Sequence, residues 1–292
     1  GDDIWKRYGV RPDWTDLEGH FRALQRARPA INLGTMVGAG GIRDLVVGKE
    51  NRPATAPELV EMETLVDTAM RQGAFGLSTS LQYVPGRYAS TAEIVALAKV
   101  AAKHGGVYFT HQRSEQREID ASMDEVMTIA REAGIPTNIW HLKTACRENW
   151  GRMPEILKRI AAARAAGLDV AANQYPWSAA ANSLVANLPP WAQEGGTEPT
   201  LARLRDPATR AKIKAAMRSQ DPSWENQFRC AGGAAGVQVA GVFAPEVAAS
   251  SGKTIADLAT EKGVDPEDAL FDLLIADRLN TTNILFIMGD DI

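Results

Sequence analysis

The chain has 292 residues, 45% of them hydrophobic and 23% charged, with a formal net charge of −4. That is the composition of an ordinary globular protein, long enough for one large domain. It gives no electrostatic case for nucleic acid as a partner, and no apolar run approaches the roughly 20 residues that span a bilayer, so no membrane partner is expected.

In chain order, strand-like runs alternate with helical patterns. The strand candidates are AINLGTMV (30–37), FGLSTS (75–80), VYFTH (107–111), TNIWH (137–141), DVAANQY (169–175), VQVAGVF (237–243) and NILFIM (283–288), all short, apolar and rich in β-branched or aromatic residues. Helical patterns cover 17–28, 56–72, 91–104, 118–133, 153–166 and 266–276. STAEIVALAK opens one helix with a Ser/Thr cap and a first-turn Glu, KHGG ends that helix on glycine, and REAG and RAAG end two others the same way. Such alternation predicts an α/β fold with a parallel sheet, as a (β/α)8 TIM-like barrel or a doubly wound sheet. No GxGxxG follows an early strand, and VGAGG (37–41) is only a fragment of one, so the barrel is preferred.

Residues 179–233 break the rhythm. They carry paired prolines, paired glycines, tryptophans and one amphipathic helix near 206–218, and they are too long for an ordinary βα connection. An inserted subdomain or lid over one end of the barrel is expected there.

The candidate chemistry sits at strand ends, because side chains there converge on the mouth of a parallel barrel. His111 closes VYFTH and His141 closes the next strand. Two imidazoles from neighbouring strands can share a metal; the alternative is a pair of core histidines bonded to backbone. Lys143, two residues after His141, faces the same side if the strand continues, as a point charge for a carboxylate or as a solvated loop lysine. Tyr83, just past FGLSTS, can donate to a carboxylate or anchor its loop beside Pro85. Arg113 and Glu115 in THQRSE are expected to pair with each other. His20 and His104 lie on helices and read as structural. Cys146 and Cys230 show no metal spacing, so no disulfide framework is expected and a reducing, cytoplasmic setting is the default. The opening GDDIWKRYGV also lacks the basic and apolar regions of a signal peptide.

GAFGLSTSLQYVPGRYASTAEIVALAKVAAKHGGVYFTHQRSE, AGIPTNIWHLKTACRENWGRMPEILKRI, QYPWSA, LPPW and GKTIADLATEKGVDPEDALFDLL occur in this order. Together they closely resemble the N-acyl-D-amino-acid deacylases (D-aminoacylases) of the amidohydrolase superfamily. The resemblance implies a zinc-dependent (β/α)8 barrel with one or two metal ions. It implies hydrolysis of the amide of a small-molecule N-acylated D-amino acid, with an aspartate shuttling the proton. By resemblance His111 and His141 match two zinc ligands, and Tyr83 and Lys143 match residues that hold the substrate carboxylate.

The chain departs from that pattern in several places. It has no His-X-His strand, and neither cysteine falls at the family's ligand position, so the remaining ligands are expected upstream of Gly1. Ala39 replaces a common histidine, and Asn173 a common aspartate. Asp291 fits a helix-start acid, and the general-base aspartate is expected beyond Ile292. An incomplete barrel, inactive alone and prone to associate through its open edges, is therefore expected, with a homo-oligomer as one outcome. Competing readings are a cyclic-amide hydrolase such as a dihydroorotase or hydantoinase, and a non-catalytic barrel remnant binding a small carboxylate or a partner.

Overall fold

The computed structural model describes Gly9 and residues 12–221 and 223–289. Five short strands pair in parallel and in chain order: β1 (Val37–Gly38), β2 (Gly76–Ser80), β3 (Val107–His111), β4 (Thr137–Ile139) and β5 (Val170–Ala172). This unreversed order is that of a barrel wall, whereas a doubly wound sheet reverses its strand order. Among the described residues the sheet stays open, with β1 and β5 as its edges.

Helices return the chain between strands. After α1 (Leu17–Ala27) and β1 come α2 (Ala39–Val46) and α3 (Ala56–Arg71); α4 (Thr91–Lys103), α5 (Ile119–Ala133) and α6 (Met153–Ala165) follow β2, β3 and β4. Their ends follow local chemistry. Thr55 and Glu58 cap the start of α3 reciprocally, and Ser90 accepts from the Glu93 backbone at the start of α4. α5 stops at Gly134, whose φ of 60° is the left-handed value that glycine adopts without a steric penalty. Leu77, Tyr108 and Ile139 are fully buried in the sheet, packed by apolar faces of α3, α4 and α5. The buried Arg43–Glu93 ion pair, 2.6 Å long, ties α2 to α4.

Two strand expectations need correction. AINLGTMV shrinks to the two residues of β1, because this edge strand has one neighbour and Ile31 and Leu33 are left exposed. VGAGG is no phosphate loop; its last three residues open α2. Further on, VQVAGVF and NILFIM do form strands, β7 (Val237–Gly241) and β8 (Thr282–Leu285), but not in the parallel sheet. With β6 (Ala180–Ser183) they make a separate antiparallel sheet of order β6-β8-β7. A buried amide chain fixes its register: Asn187 donates to Asn283 at 2.8 Å, and Asn283 to Asn182 at 2.9 Å.

Within 179–233, β6 is followed by α7 (Thr197–Arg205) and α8 (Pro207–Arg218). Leu204, Ile213, Met217 and Phe228 share one core with β7, β8, α9 (Ile255–Lys262) and α10 (Pro266–Ala276). Arg210, Lys214 and Arg218 of α8 pair with acids at the start and along the side of α10. The cysteines also need correction: Cys146 and Cys230 are joined in a disulfide across 84 residues. Sequence spacing carried no trace of it because the pairing depends on the loop after β4 meeting the turn at 227–230. No helix among the described residues is long and apolar enough to cross a membrane. Asp291 lies outside the described residues.

Candidate metal centre

β3 and β4 are adjacent and parallel, with Thr110 opposite Ile139, so the residues that follow each strand meet at one end of the sheet. His111 is the last residue of β3. β4 ends at Ile139, and His141 sits in a turn with φ 40°, a value unusual for a side chain larger than glycine. Neighbouring backbone holds that turn: the His141 N–H donates to Asn173 Oδ1 at 2.6 Å, and the Leu142 N–H to the Asn173 carbonyl. The strand does not continue through Lys143 as expected, yet the turn still brings Lys143 Nζ to 2.8 Å from His141 Nδ1.

His111 Nδ1 and His141 Nε2 stand 3.0 Å apart. Each ring is held from behind. His111 Nε2 lies 2.6 Å from Gln82 Oε1, and His141 Nδ1 lies 3.1 Å from Glu115 Oε1. Gln82 Oε1 is an acceptor and holds a proton on His111 Nε2, which leaves His111 Nδ1 its lone pair. His141 Nδ1 lies between an acceptor, Glu115, and a donor, the Lys143 ammonium, so its ring serves either tautomer. With the proton on Nε2 it donates to His111 Nδ1; with the proton on Nδ1 both inner nitrogens offer lone pairs to a metal, the outer-acceptor support usual for metal-bound imidazole. Burial holds the His111 pKa down to about 4, with His141 and Lys143 adding to the effect against Glu115. Its imidazole is therefore neutral at physiological pH, as a metal ligand requires. Donor atoms of His111, Glu115 and His141 all lie within 4.8 Å of one another, a group that can hold a metal ion. The donor set fits zinc, which accepts imidazole nitrogen and carboxylate oxygen.

Glu115 is the residue the sequence misassigned. Arg113 pairs instead with Glu125 of α5 at 2.8 Å and with the carbonyls of Arg87 and Ala89. Glu115 turns inward to Lys143 Nζ at 2.5 Å. Burial alone would raise the Glu115 pKa; Lys143, His111 and His141 together hold it well below the usual carboxylate range.

Tyr83 stacks at 4.9 Å from the His111 ring and accepts from Asn182 of β6 at 3.1 Å; burial pushes its phenol up to about 12. Its loop folds tightly back on β2, and a Cβ on Gly86 would stand 2.6 Å from the Ser80 carbonyl oxygen. Tyr175 closes the far wall, with Lys143 Nζ 5.4 Å from its ring centre. Together these side chains line a cavity of about 90 Å³. Gln82, Asn182 and Tyr175 escaped the sequence reading, although Tyr175 closes the candidate strand DVAANQY (169–175) and its position there was the signal that could have found it. Of the remaining candidates, His104 pairs with Asp67 on the outer helices, and His20 packs against Trp14. Ala39 is buried at the start of α2.

No family model matches the chain. An N-acyl-D-glutamate deacylase of Alcaligenes xylosoxydans xylosoxydans is 36% identical over 177 residues, 61% of this chain and 36% of that protein. The crystal structure of a D-aminoacylase said to define a novel subset of amidohydrolases superposes with a TM-score of 0.71 at 28% identity, over 94% of this chain and 48% of that one. Over the part it spans, the chain is similar to N-acyl-D-amino-acid deacylases. An N-acyl-D-glutamate deacylase from Bordetella bronchiseptica, crystallised with zinc and a phosphonate mimic of the reaction's tetrahedral intermediate, agrees equally well, with a TM-score of 0.72 at 27% identity over 94% of this chain and 48% of that one. The likeness favours the deacylases over the cyclic-amide hydrolases and identifies the open parallel sheet as part of an amidohydrolase barrel. The chain spans about a third of the length of the curated relatives it matches and about half of the solved ones.

Proposed function

We propose that this chain forms part of a zinc-dependent hydrolase that cleaves the amide bond of N-acyl-D-amino acids, releasing a carboxylate and the free D-amino acid. One observation carries the metal assignment: ring nitrogens of His111, neutral through burial, and His141 stand 3.0 Å apart, and donor atoms of these two and Glu115 all lie within 4.8 Å of one another. The likeness to deacylases supplies the substrate class.

His111 Nδ1 and His141 Nε2 would hold the metal. In the metal-binding tautomer Glu115 accepts the His141 Nδ1 proton, and it is itself within ligand reach. A zinc ion bound there supplies Lewis-acid polarisation of the scissile carbonyl and eases deprotonation of water. Lys143 Nζ donates to Glu115 and lies 2.8 Å from His141 Nδ1, and on the cavity wall its charge suits a substrate α-carboxylate. Tyr83, kept protonated by burial, adds a phenol donor on the same wall. Residues 179–233 act as an inserted subdomain closing the mouth, because Asn182 and Gln227 line the same cavity. The partner is then a small molecule. The Cys146–Cys230 disulfide favours an oxidising compartment over the cytoplasm expected from the cysteine count.

The test is metal analysis of the full-length protein together with deacylation assays on N-acetyl-D-amino acids and their L-enantiomers. Zinc near one equivalent per chain or more, with turnover of the D-series alone, is the expected result. Absence of metal, or preference for cyclic amides, would overturn the reading.

A further inference from the structure

A larger cavity, of about 360 Å³, lies beside the metal centre. Ser223, Trp224 and Glu225 form one wall, while Gln227, two residues on, faces the metal pocket. The opposite wall is Arg87, from the loop after β2, with Ser114 and the start of α5.

The charges lining it are not balanced by the protein. Arg113 is fully committed: to Glu125 through two nitrogens, and to the Arg87 and Ala89 carbonyls. Arg87 is not, because only its Nη2 has a partner among the described residues, the Ser223 carbonyl. Glu225 is 9% exposed; Ser114 donates to its Oε1 at 2.6 Å, and its buried Oε2 has no partner. Burial, with nearby Glu115 adding, pushes its carboxyl up to about 8, so it stands mostly protonated at neutral pH until a cation lies beside it. Arg87 and Glu225 perturb each other electrostatically, yet no ion pair within 4.0 Å joins them. Glu118, at the N-cap of α5, caps nothing with its side chain and is unpaired among the described residues. A buried carboxyl with one idle oxygen is uncommon in a folded protein and calls for a partner that the chain itself does not supply.

One free guanidinium edge, a buried carboxyl and a second carboxylate at the rim, with an indole between, match a ligand that carries both charges. We propose that this cavity binds a free α-amino acid as its zwitterion, the carboxylate on Arg87, the ammonium toward Glu225 and Glu118, and the side chain against Trp224. A lone amine would leave Arg87 idle, and a lone anion would leave the Glu118 carboxylate unpaired and bring Glu225 no cation to draw it into its charged form. Its volume of about 360 Å³ accommodates an amino acid. The proposal does not rest on the deacylase reading, since it uses none of the residues assigned to the metal or to Lys143.

Calorimetric titration of the full-length protein tests it, with glycine, D- and L-alanine and D- and L-glutamate, and with propionate and ethylamine as half-charged probes. Saturable one-site binding of the amino acids is expected, weakened roughly tenfold or more for either half-charged probe, as for loss of a charge-assisted contact. Glu225→Gln, which keeps shape, and Arg87→Met should each weaken binding by about the same factor. Arg87→Lys, which keeps the charge, guards against misfolding by showing a smaller loss. Lys143→Ala should leave this binding unchanged. The proposal fails if no saturable binding appears, which would leave water alone in the cavity. It also fails if propionate binds as well as alanine, or if binding follows Lys143→Ala and ignores Arg87→Met, which would put the ligand in the metal pocket. Deacylation is assayed separately, so failure here and failure of the deacylase reading are distinguishable.

Discussion

The parallel sheet and the antiparallel sheet solve different problems. In the parallel sheet, each strand contributes one end to a common mouth, and the chemistry depends on where β2, β3 and β4 stop. In the antiparallel sheet, β8 runs between β6 and β7, and its residues serve a core shared with α8, α9 and α10. The first region exposes function to single substitutions of polar groups; the second exposes stability. A disulfide and a chain of amides join them, the bonds from Gln227 through Asn182 to Tyr83 being the polar link.

The largest test of this division is His141→Ala. It removes one of two facing imidazoles and should abolish metal retention, with turnover falling at least about a thousandfold, roughly 4 kcal/mol of transition-state stabilisation. Metal content by atomic absorption and melting temperature should be measured together. The division predicts lost zinc with a nearly intact fold once apo-protein is compared with apo-protein. A variant that unfolds instead would show that the mouth is also structural.

The next effect belongs to the junction. Cys146→Ser frees a loop of 84 residues; chain-entropy arguments put such a crosslink at about 4.6 kcal/mol, and disulfides typically deliver about 2–4 kcal/mol. Urea denaturation under oxidising conditions should show that loss, and wild-type protein treated with reductant should fall to the variant's midpoint. If reductant leaves wild type unmoved, packing and the hydrogen bonds between the regions hold them without help from the disulfide.

These two tests also mark what the sequence could convey. The convergence of His111 and His141 was legible because position at a parallel strand's end is nearly a coordinate: neighbouring strands bring such residues together whatever the loops do. Helix boundaries were legible for a similar reason, since Ser90, Thr55 and Gly134 act on adjacent backbone. Glu115 was not, because its choice between Arg113 and Lys143 depends on Glu125 claiming the arginine from α5. Nor was the second sheet, since β7 and β8 have the same local pattern as parallel strands and differ only in their partner, a β6 of weak strand composition. The disulfide depended on the same undetermined contact.

Lys143→Ala sharpens the functional side. It should leave metal bound, because the imidazoles keep their outer acceptors, Gln82 and Glu115. Loss of a charge-assisted contact to the substrate carboxylate costs about 1.5–3 kcal/mol, or roughly ten- to a hundredfold in kcat/KM, mostly in KM. An amidated substrate, lacking that carboxylate, should be nearly indifferent to the change. Equal losses on acid and amide would mean that Lys143 serves Glu115 rather than the substrate.

The smallest effect lies in the second region and depends on pH. Arg218 of α8 donates twice to Glu267 of α10, and this bond holds the Glu267 pKa below the usual glutamate range despite burial. A depressed folded-state pKa means that the unfolded chain takes up the proton first as pH falls. The pair's contribution is therefore complete above the unfolded value near 4.3, and is lost as pH drops through the lower folded value. Arg218 is half exposed, so solvent screening keeps the contribution to a fraction of ~1 kcal/mol. Glu267→Gln should lower the melting temperature slightly at pH 7 and hardly at all near pH 3, with the difference shrinking in concentrated salt. Metal content should not move at either pH, because nothing in this pair reaches the mouth of the parallel sheet. A variant that loses as much stability at pH 3 as at pH 7 would show that Glu267 acts through packing of its buried stem and not through its charge, and the helices of the second region would then be held by their shared core alone.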